Sequence, residues 1–372
     1  MTVSLDAAMA LAQLLGDEAL GLSSPNPPVG AVVVSPGGQY IGTGHTHPAG
    51  GPHAEIMALR AAGERARGAT LVCTLEPCAH TGRTGPCTAA IIEAGIAEVA
   101  YAVTDPNPLA AGGAQVLRDA GITVHAGLQS EDAEAGALRY WLHTQRTGRP
   151  FVTWKVAQSL DGQVAAEDGS SQWITSPQAR ADVHILRRQV DAVIAGAGTL
   201  RRDNPRLTAR DEDGRDLKRQ PLRVIISSAG RIDPAATAFD NAAPTLLAVG
   251  PSASHEHIET LRGRGIEVWV SPGSAAQGID LQALGRELAQ RGVLHALLEG
   301  GPTTAGSFIA AGLADEARIY LAPKLLLSGM WPALRGYGVN SIEDAIELDI
   351  IELERFGPDI RVTAEPRVRG ES

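Results

Sequence analysis

Cysteine is scarce in this chain, and no stretch of it is strongly basic or continuously apolar. Its three cysteines, Cys73, Cys78 and Cys87, are too few and too close together to staple a fold of 372 residues. That excludes a disulfide framework and points to metal binding or catalysis. A formal net charge of -10, spread without a basic stripe, argues against a protein built around a phosphate backbone. No nucleic-acid partner is expected, and small polar substrates are. No apolar run approaches the roughly 20 residues of a membrane helix, so no membrane partner is expected either. The opening MTVSLDAAMA lacks the basic n-region of a signal peptide, and a cytoplasmic location is the expectation. There is no internal repeat or low-complexity tract, and no G-x-G-x-x-G after an early strand, which disfavours a Rossmann cofactor domain.

The composition is that of a globular protein, with 44% apolar and 20% charged residues. At 372 residues the chain exceeds the size at which a single core keeps growing, so two domains are expected. Residues 5–20 read as an amphipathic helix and 30–34 as a buried strand. A helix starts near His53, a strand covers 70–74, and a helix opens near Cys87. Strands at 98–103 and 122–126 and a helix over 130–142 complete an α/β sandwich around one sheet. The polar segment Gln145-Arg146-Thr147-Gly148-Arg149-Pro150 breaks periodicity and marks the boundary, giving domains over 1–146 and 150–372. Strands in the second domain are expected at 151–157, 192–195, 222–226, 245–249, 266–270, 294–298 and 317–321. Helices are expected to begin at Pro177, Ser254, Leu281 and Pro302.

His53-Ala54-Glu55, then Pro77-Cys78 and Cys87, supply one imidazole, two thiolates and a spare carboxylate. Three ligands leave the fourth tetrahedral position of Zn²⁺ to water, the arrangement of a catalytic zinc, and the metal lowers that water's pKa to about 7. Glu55 follows His53 by two residues on the first helical turn, where it can shuttle a proton to departing ammonia without binding metal. Helix N-termini at both sites would favour thiolate and hydroxide. A zinc knuckle could use the same donors but has no role for Glu55. Cys73, on a strand, reads as core. Asn26, in the rigid turn Pro25-Asn26-Pro27-Pro28, and His45, after Gly42-x-Gly44, lie in segments that read as loops around this site.

The pattern resembles the H-x-E...P-C-x-x-C signature of zinc nucleotide deaminases, except that eight residues separate Cys78 from Cys87. With Asn26-Pro27-Pro28-Val29-Gly30 and that long cysteine loop, the first domain is similar to the bifunctional riboflavin-biosynthesis deaminase/reductase family. Lys155-x-Ala157-x-Ser159-Leu160-Asp161-Gly162, Ser171-Gln172-Trp173-Ile174-Thr175, Gly198-Thr199-Leu200-x-x-Asp203-Asn204-Pro205 and Glu299-Gly300-Gly301-Pro302-Thr303 resemble its reductase half. From about Gly329 onward no motif is recognisable.

The resemblance implies a cytidine-deaminase-like α/β/α sandwich followed by a dihydrofolate-reductase-like α/β domain that binds NADPH. It assigns Glu55 to catalysis, His53, Cys78 and Cys87 to Zn²⁺, and Asn26 and His45 to substrate. Ala157, Trp173, Thr199, Asp203, Ser228, Gly301, Pro302, Thr303, Thr304, Ala305, Gly306 and Ser307 would line the cofactor. Ser171, Arg187, Leu207, Arg210 and Glu299 would hold the substrate. The two arginines suit a sugar phosphate, and the Gly-rich turn with Pro302 at a first helical position suits a cofactor phosphate. Trp173 could equally be a core aromatic. Lys155 and Asp203 are the ionisable groups expected nearest hydride transfer. The expected substrate is a small phosphorylated pyrimidine, and the resemblance implies assembly of copies through the reductase half as a dimer or tetramer. Two competing readings are a tRNA deaminase with a C-terminal binding module and a zinc-stabilised interaction protein.

Overall fold

The structure is a computed structural model describing residues 2–80, 85–108, 110–274, 278–336 and 338–367. Contacts divide it into two compact units, Met1–Gly148 and Arg149–Ser372. Residues 81–84 of the cysteine loop lie outside the described residues.

The first unit contains α1 (Leu5–Glu18), β1 (Gly30–Val34), β2 (Tyr40–His45), α2 (Ala54–Ala62), β3 (Thr70–Leu75), α3 (Cys87–Ala94), β4 (Glu98–Val103), α4 (Gly113–Asp119), β5 (Thr123–Ala126), α5 (Ser130–Ala135) and α6 (Arg139–Thr147). Its sheet runs β2-β1-β3-β4-β5, with β1 antiparallel to both neighbours and β3, β4 and β5 parallel. The β1 sequence GAVVV is buried throughout, as a strand covered on both faces must be. Glycines set how closely the helices approach. A Cβ on Gly30 would fall 1.8 Å from the Ala12 carbonyl oxygen of α1, and one on Gly44 would fall 2.6 Å from that of Ala54 in α2. Gly44 pairs with Ala31, the neighbour of Gly30, so α1 and α2 cover opposite faces.

Three expectations for this unit need correction. Residues 40–45 form β2 and are not a loop. The helix expected over 130–142 is two helices, broken at Gly136 with ψ near -143°. Residues 145–147 continue α6 and do not break it, and the helix ends at Gly148 in the left-handed region, φ 69°.

The second unit contains β6 (Phe151–Ser159), α7 (Pro177–Gln189), β7 (Ala192–Gly196), α8 (Ala197–Asp203), β8 (Leu222–Ile226), β9 (Thr245–Val249), α9 (His255–Gly263), β10 (Glu267–Val270), α10 (Leu281–Gln290), β11 (His295–Leu298), α11 (Pro302–Ala310), β12 (Glu316–Ala322), β13 (Leu348–Phe356) and β14 (Asp359–Pro366). The order is β10-β9-β8-β7-β11-β6-β12-β14-β13. Strands from β10 to β12 are parallel, and the final hairpin adds on antiparallel. Alternation along β11 sends Leu298 to a core with Trp154, Ile194 and Phe308, and Leu297 to one with Leu186, Val193 and Leu247. The hairpin β13–β14 occupies the stretch where the sequence showed no motif.

Candidate functional site

The site in the first unit is assembled at the ends of helices and strands next to the sheet. His53 is the N-cap of α2, Glu55 is that helix's second residue, Cys78 follows β3, and Cys87 opens α3. His53 Nδ1 lies 3.7 Å from Cys78 Sγ and 3.3 Å from Cys87 Sγ, and the three donor atoms lie within 4.8 Å of one another. Tetrahedral zinc with ordinary Zn–S and Zn–N bonds requires about 3.6 Å between such donors, so the trio fits that ion. Among the described residues the donor group stops at three. The Cys87 N–H donates to Cys78 Sγ at 3.4 Å, a helix-start amide directed at a thiolate. The hydrogen bond from the Cys87 thiol, with His53 adding to it, pulls Cys78 down to about 4, and the same bond raises Cys87.

Glu55 is 4% exposed, and burial pushes its carboxyl up. It faces a cavity of about 430 Å³ together with His53, Cys78 and Asn26. His45 is not among the lining residues. It sits at the end of β2, 3.4 Å from Glu18 and stacked on His47, while its neighbour Thr46 lines the cavity. Cys73 is fully buried on β3, away from the trio. The sequence reading missed Asp105, Asn107, His80 and Trp141, which also line the cavity. A signal for the first two was available: Thr104-Asp105-Pro106-Asn107-Pro108 is turn chemistry directly after a strand. Because β4 runs parallel beside β3, its exit loop emerges next to Cys78.

In the second unit a cavity of about 300 Å³ is lined by Lys155, Ala157, Ser171, Trp173, Thr199, Asp203, Glu299, Gly301 and Pro302. These residues come from β6 and its exit loop, α8, and the turn from β11 into α11. Glu299 is buried between two cations: Arg187 Nη2 reaches Oε2 at 2.7 Å, and Lys155 Nζ lies 3.9 Å from Oε1. Burial alone would raise the Glu299 carboxyl, but Arg187 and Lys155 outweigh it and hold it below the usual range. Burial lowers Lys155, with Glu299 opposing. Burial, then Arg187 and Arg210, takes His184 down to about 4. Asp203 is raised by burial.

Trp173 is 62% exposed with Arg180 stacked 4.3 Å from its ring centroid, so it is not a core aromatic. Several expected residues stand back from the cavity wall. Ala305 is fully buried in the core, and a Cβ on Gly306 would lie 2.0 Å from the Arg335 carbonyl oxygen. These two therefore pack α11 against its surroundings. Thr303, Thr304 and Ser307 lie along the same helix, Ser228 follows β8, and Leu207 is buried with φ 54°. Arg210 bonds Thr208 Oγ1 at 3.1 Å. Arg180, Arg202 and Ala333 line the cavity without having been anticipated.

The donor trio, the buried glutamate and the sheet order of the first unit define a zinc-type deaminase. The second unit is an α/β reductase, and the comparisons with known proteins agree on both. Residues 3–103 match the model of the cytidine and deoxycytidylate deaminase zinc-binding region, and residues 150–362 that of the RibD C-terminal domain. The riboflavin biosynthesis protein RibD of Mycobacterium tuberculosis (strain ATCC 25618 / H37Rv) is 44% identical over 364 residues, covering 98% of each chain. That of Escherichia coli (strain K12) is 40% identical, covering 95% of this chain and 96% of the other. Among solved structures, Acinetobacter baumannii RibD, form 1, superposes with TM-score 0.87 at 35% identity, covering 98% of this chain and 99% of the other. The diaminohydroxyphosphoribosylaminopyrimidine deaminase/5-amino-6-(5-phosphoribosylamino)uracil reductase of Thermotoga maritima gives 0.85 at 33%, with the same coverage. The chain belongs to the RibD family of bifunctional deaminase/reductases of riboflavin biosynthesis. Its fold is a cytidine-deaminase-like unit followed by a dihydrofolate-reductase-like one. No helix among the described residues is long and apolar enough to cross a membrane.

Proposed function

We propose that the first unit hydrolyses the 2-amino group from 2,5-diamino-6-(5-phosphoribosylamino)pyrimidin-4-one. The second then reduces the ribosyl group with NADPH to give 5-amino-6-(5-phosphoribitylamino)uracil. The observation that carries this reading is the convergence of His53, Cys78 and Cys87 at a cavity lined by the first two together with the buried Glu55 carboxyl. Those three side chains hold Zn²⁺. When bound, the ion would supply Lewis acidity that lowers the pKa of water toward about 7. Glu55 takes a proton from the attacking water and delivers it to the departing amine. Asn26, Asp105 and Asn107 give the cavity hydrogen-bonding groups for the ring edge, and the family resemblance adds His45.

In the second unit the turn Glu299-Gly300-Gly301 leads into the nine-residue helix α11, whose first amides suit a pyrophosphate. Gly301 N–H is held by Thr199 Oγ1 at 3.1 Å, which fixes the turn. NADPH, when bound, supplies the hydride delivered to C1′ of the ribosyl group. Ala157, Trp173, Thr199, Asp203, Ser228, Gly301, Pro302, Thr303, Thr304 and Ser307 would hold it, while Ala305 and Gly306 seat the helix that carries them. Ser171, Arg187, Leu207, Arg210 and Glu299 hold the substrate, with the guanidinium groups directed to its phosphate. Lys155, next to Glu299, supplies positive charge near the reacting carbon. Copies assemble through this unit: edge strand β13 exposes Ile350, Ile351 and Leu353. Sedimentation of the intact chain as a monomer would refute this last point.

The test is incubation with the diaminopyrimidine, with and without NADPH, following ammonia and nicotinamide absorbance. Ammonia is expected without NADPH, and nicotinamide oxidation only when it is added. Absence of ammonia release from zinc-loaded protein would refute the reading.

A further inference from the structure

Glu76 performs no step in the deamination, yet it lines the cavity wall at 4% exposure. Both of its carboxylate oxygens are engaged. Oε1 accepts the Ala114 N–H at 2.9 Å and Oε2 the Asp105 N–H at 3.2 Å. Its own N–H donates to the Val103 carbonyl at 2.8 Å. One residue thus ties the turn leading to Cys78 to both ends of the β4–α4 connection. The contact is close as well as bonded, because a Cβ on Gly113 would fall 1.7 Å from the Pro77 carbonyl oxygen. Within the connection Asp105 accepts the Asn107 N–H at 2.8 Å, which fixes the turn that presents both side chains.

We propose that Glu76 is a positioning residue that holds the loop bearing Asp105 and Asn107 in register with the Cys78 turn. It thereby sets the distance between the zinc donors and the groups that grip the pyrimidine. Both of its partners are amide donors, so both side-chain oxygens must accept. A glutamine at this place directs its NH₂ at one of them and loses that bond. The inference rests on the proposed reading that Asp105 and Asn107 face the substrate.

The test uses the full-length zinc-loaded protein carrying Glu76→Gln, with Gly113→Ala as a second variant that opens the same contact from the other side. In both, zinc content stays at wild type. Amide exchange at Asp105 and Ala114 speeds up, and KM for deamination rises, each about tenfold or more, while kcat changes less. Reductase turnover is unchanged. Unaltered amide exchange, an unaltered KM, or loss of zinc together with turnover would each overturn the assignment. If wild-type protein releases no ammonia, the substrate reading fails, and amide exchange still decides whether Glu76 pins the loop.

Discussion

Replacing Glu299 by alanine removes the carboxylate that Arg187 and Lys155 share. Glu299 is 8% exposed on its side chain, and the two cations are 17% and 19% exposed, so neither can be fully rehydrated in place. Arg187 loses hydrogen bonds of 2.7, 3.2 and 3.3 Å to it. Breaking a buried ion pair from one side costs about 3–5 kcal/mol. In a unit of this size each kcal/mol shifts the midpoint by about 2–4 °C, so the second unit should melt roughly 10 °C lower. Reductase turnover should collapse while ammonia release below that transition stays intact. The pH dependence has a definite sign. The folded-state pKa of Glu299 is depressed below its ordinary 4.5, so its contribution is complete above that value and fades as pH falls through the depressed one. The gap in stability between wild type and Glu299→Ala should therefore be full at neutral pH and shrink progressively as pH falls below the ordinary carboxylate value and through the depressed one. Adding Lys155→Met should recover part of the loss, since it removes one stranded cation. Calorimetry across that pH range is the assay. A variant that melts with wild type at pH 7, or a gap that widens in acid, would refute the reasoning.

Gly44→Ala places a Cβ 2.5 Å from that of Met57 and 2.6 Å from the Ala54 carbonyl oxygen. It should lift α2, cost about 1–3 kcal/mol, and depress ammonia release while sparing NADPH oxidation. A fully active deaminase in this variant would show that α2 does not need its close seat on β2. Cys73→Ala should leave zinc at one per chain by atomic absorption. Cys73 is fully buried, its thiol is pushed well up by burial, and its sulfur points to the Ala100 carbonyl at 3.9 Å. Loss of zinc would make it a ligand.

Strands dense in β-branched and aliphatic residues were legible from the sequence. β1, β4, β8 and β9 lie where periodicity puts them, because burial on both faces leaves an apolar run bounded by polar residues. β2 was not, because Gly42 and Gly44 replace the apolar residues that would signal a strand, and they are glycine because α2 lies against them. α4 was missed because it is a single short stretch that is capped by Gly112 and opens on Gly113. The hairpin β13–β14 escaped because β13 is exposed along most of its length, so its apolar residues alternate against no buried face. The metal trio could be read because each ligand sits at a helix start or turn with its own punctuation: Pro77 before Cys78, Pro86 before Cys87, and Glu55 two residues after His53. Asp105 and Asn107 carry only the turn chemistry of Thr104-Asp105-Pro106-Asn107-Pro108, which marks a turn and no site, and Arg202 carries no local mark. Only the parallel pairing of β3 with β4 and the placement of α8 beside the β11–α11 turn bring them to a cavity.

The most direct test of two separate sites, one depending on a glutamate beside three metal donors, is Glu55→Gln. The variant should retain one zinc per chain and release ammonia about 10²- to 10⁴-fold more slowly. When supplied with the deaminated ribosyl compound it should oxidise NADPH at the wild-type rate. Equal loss of both activities, or ammonia release that survives the substitution, would contradict the account.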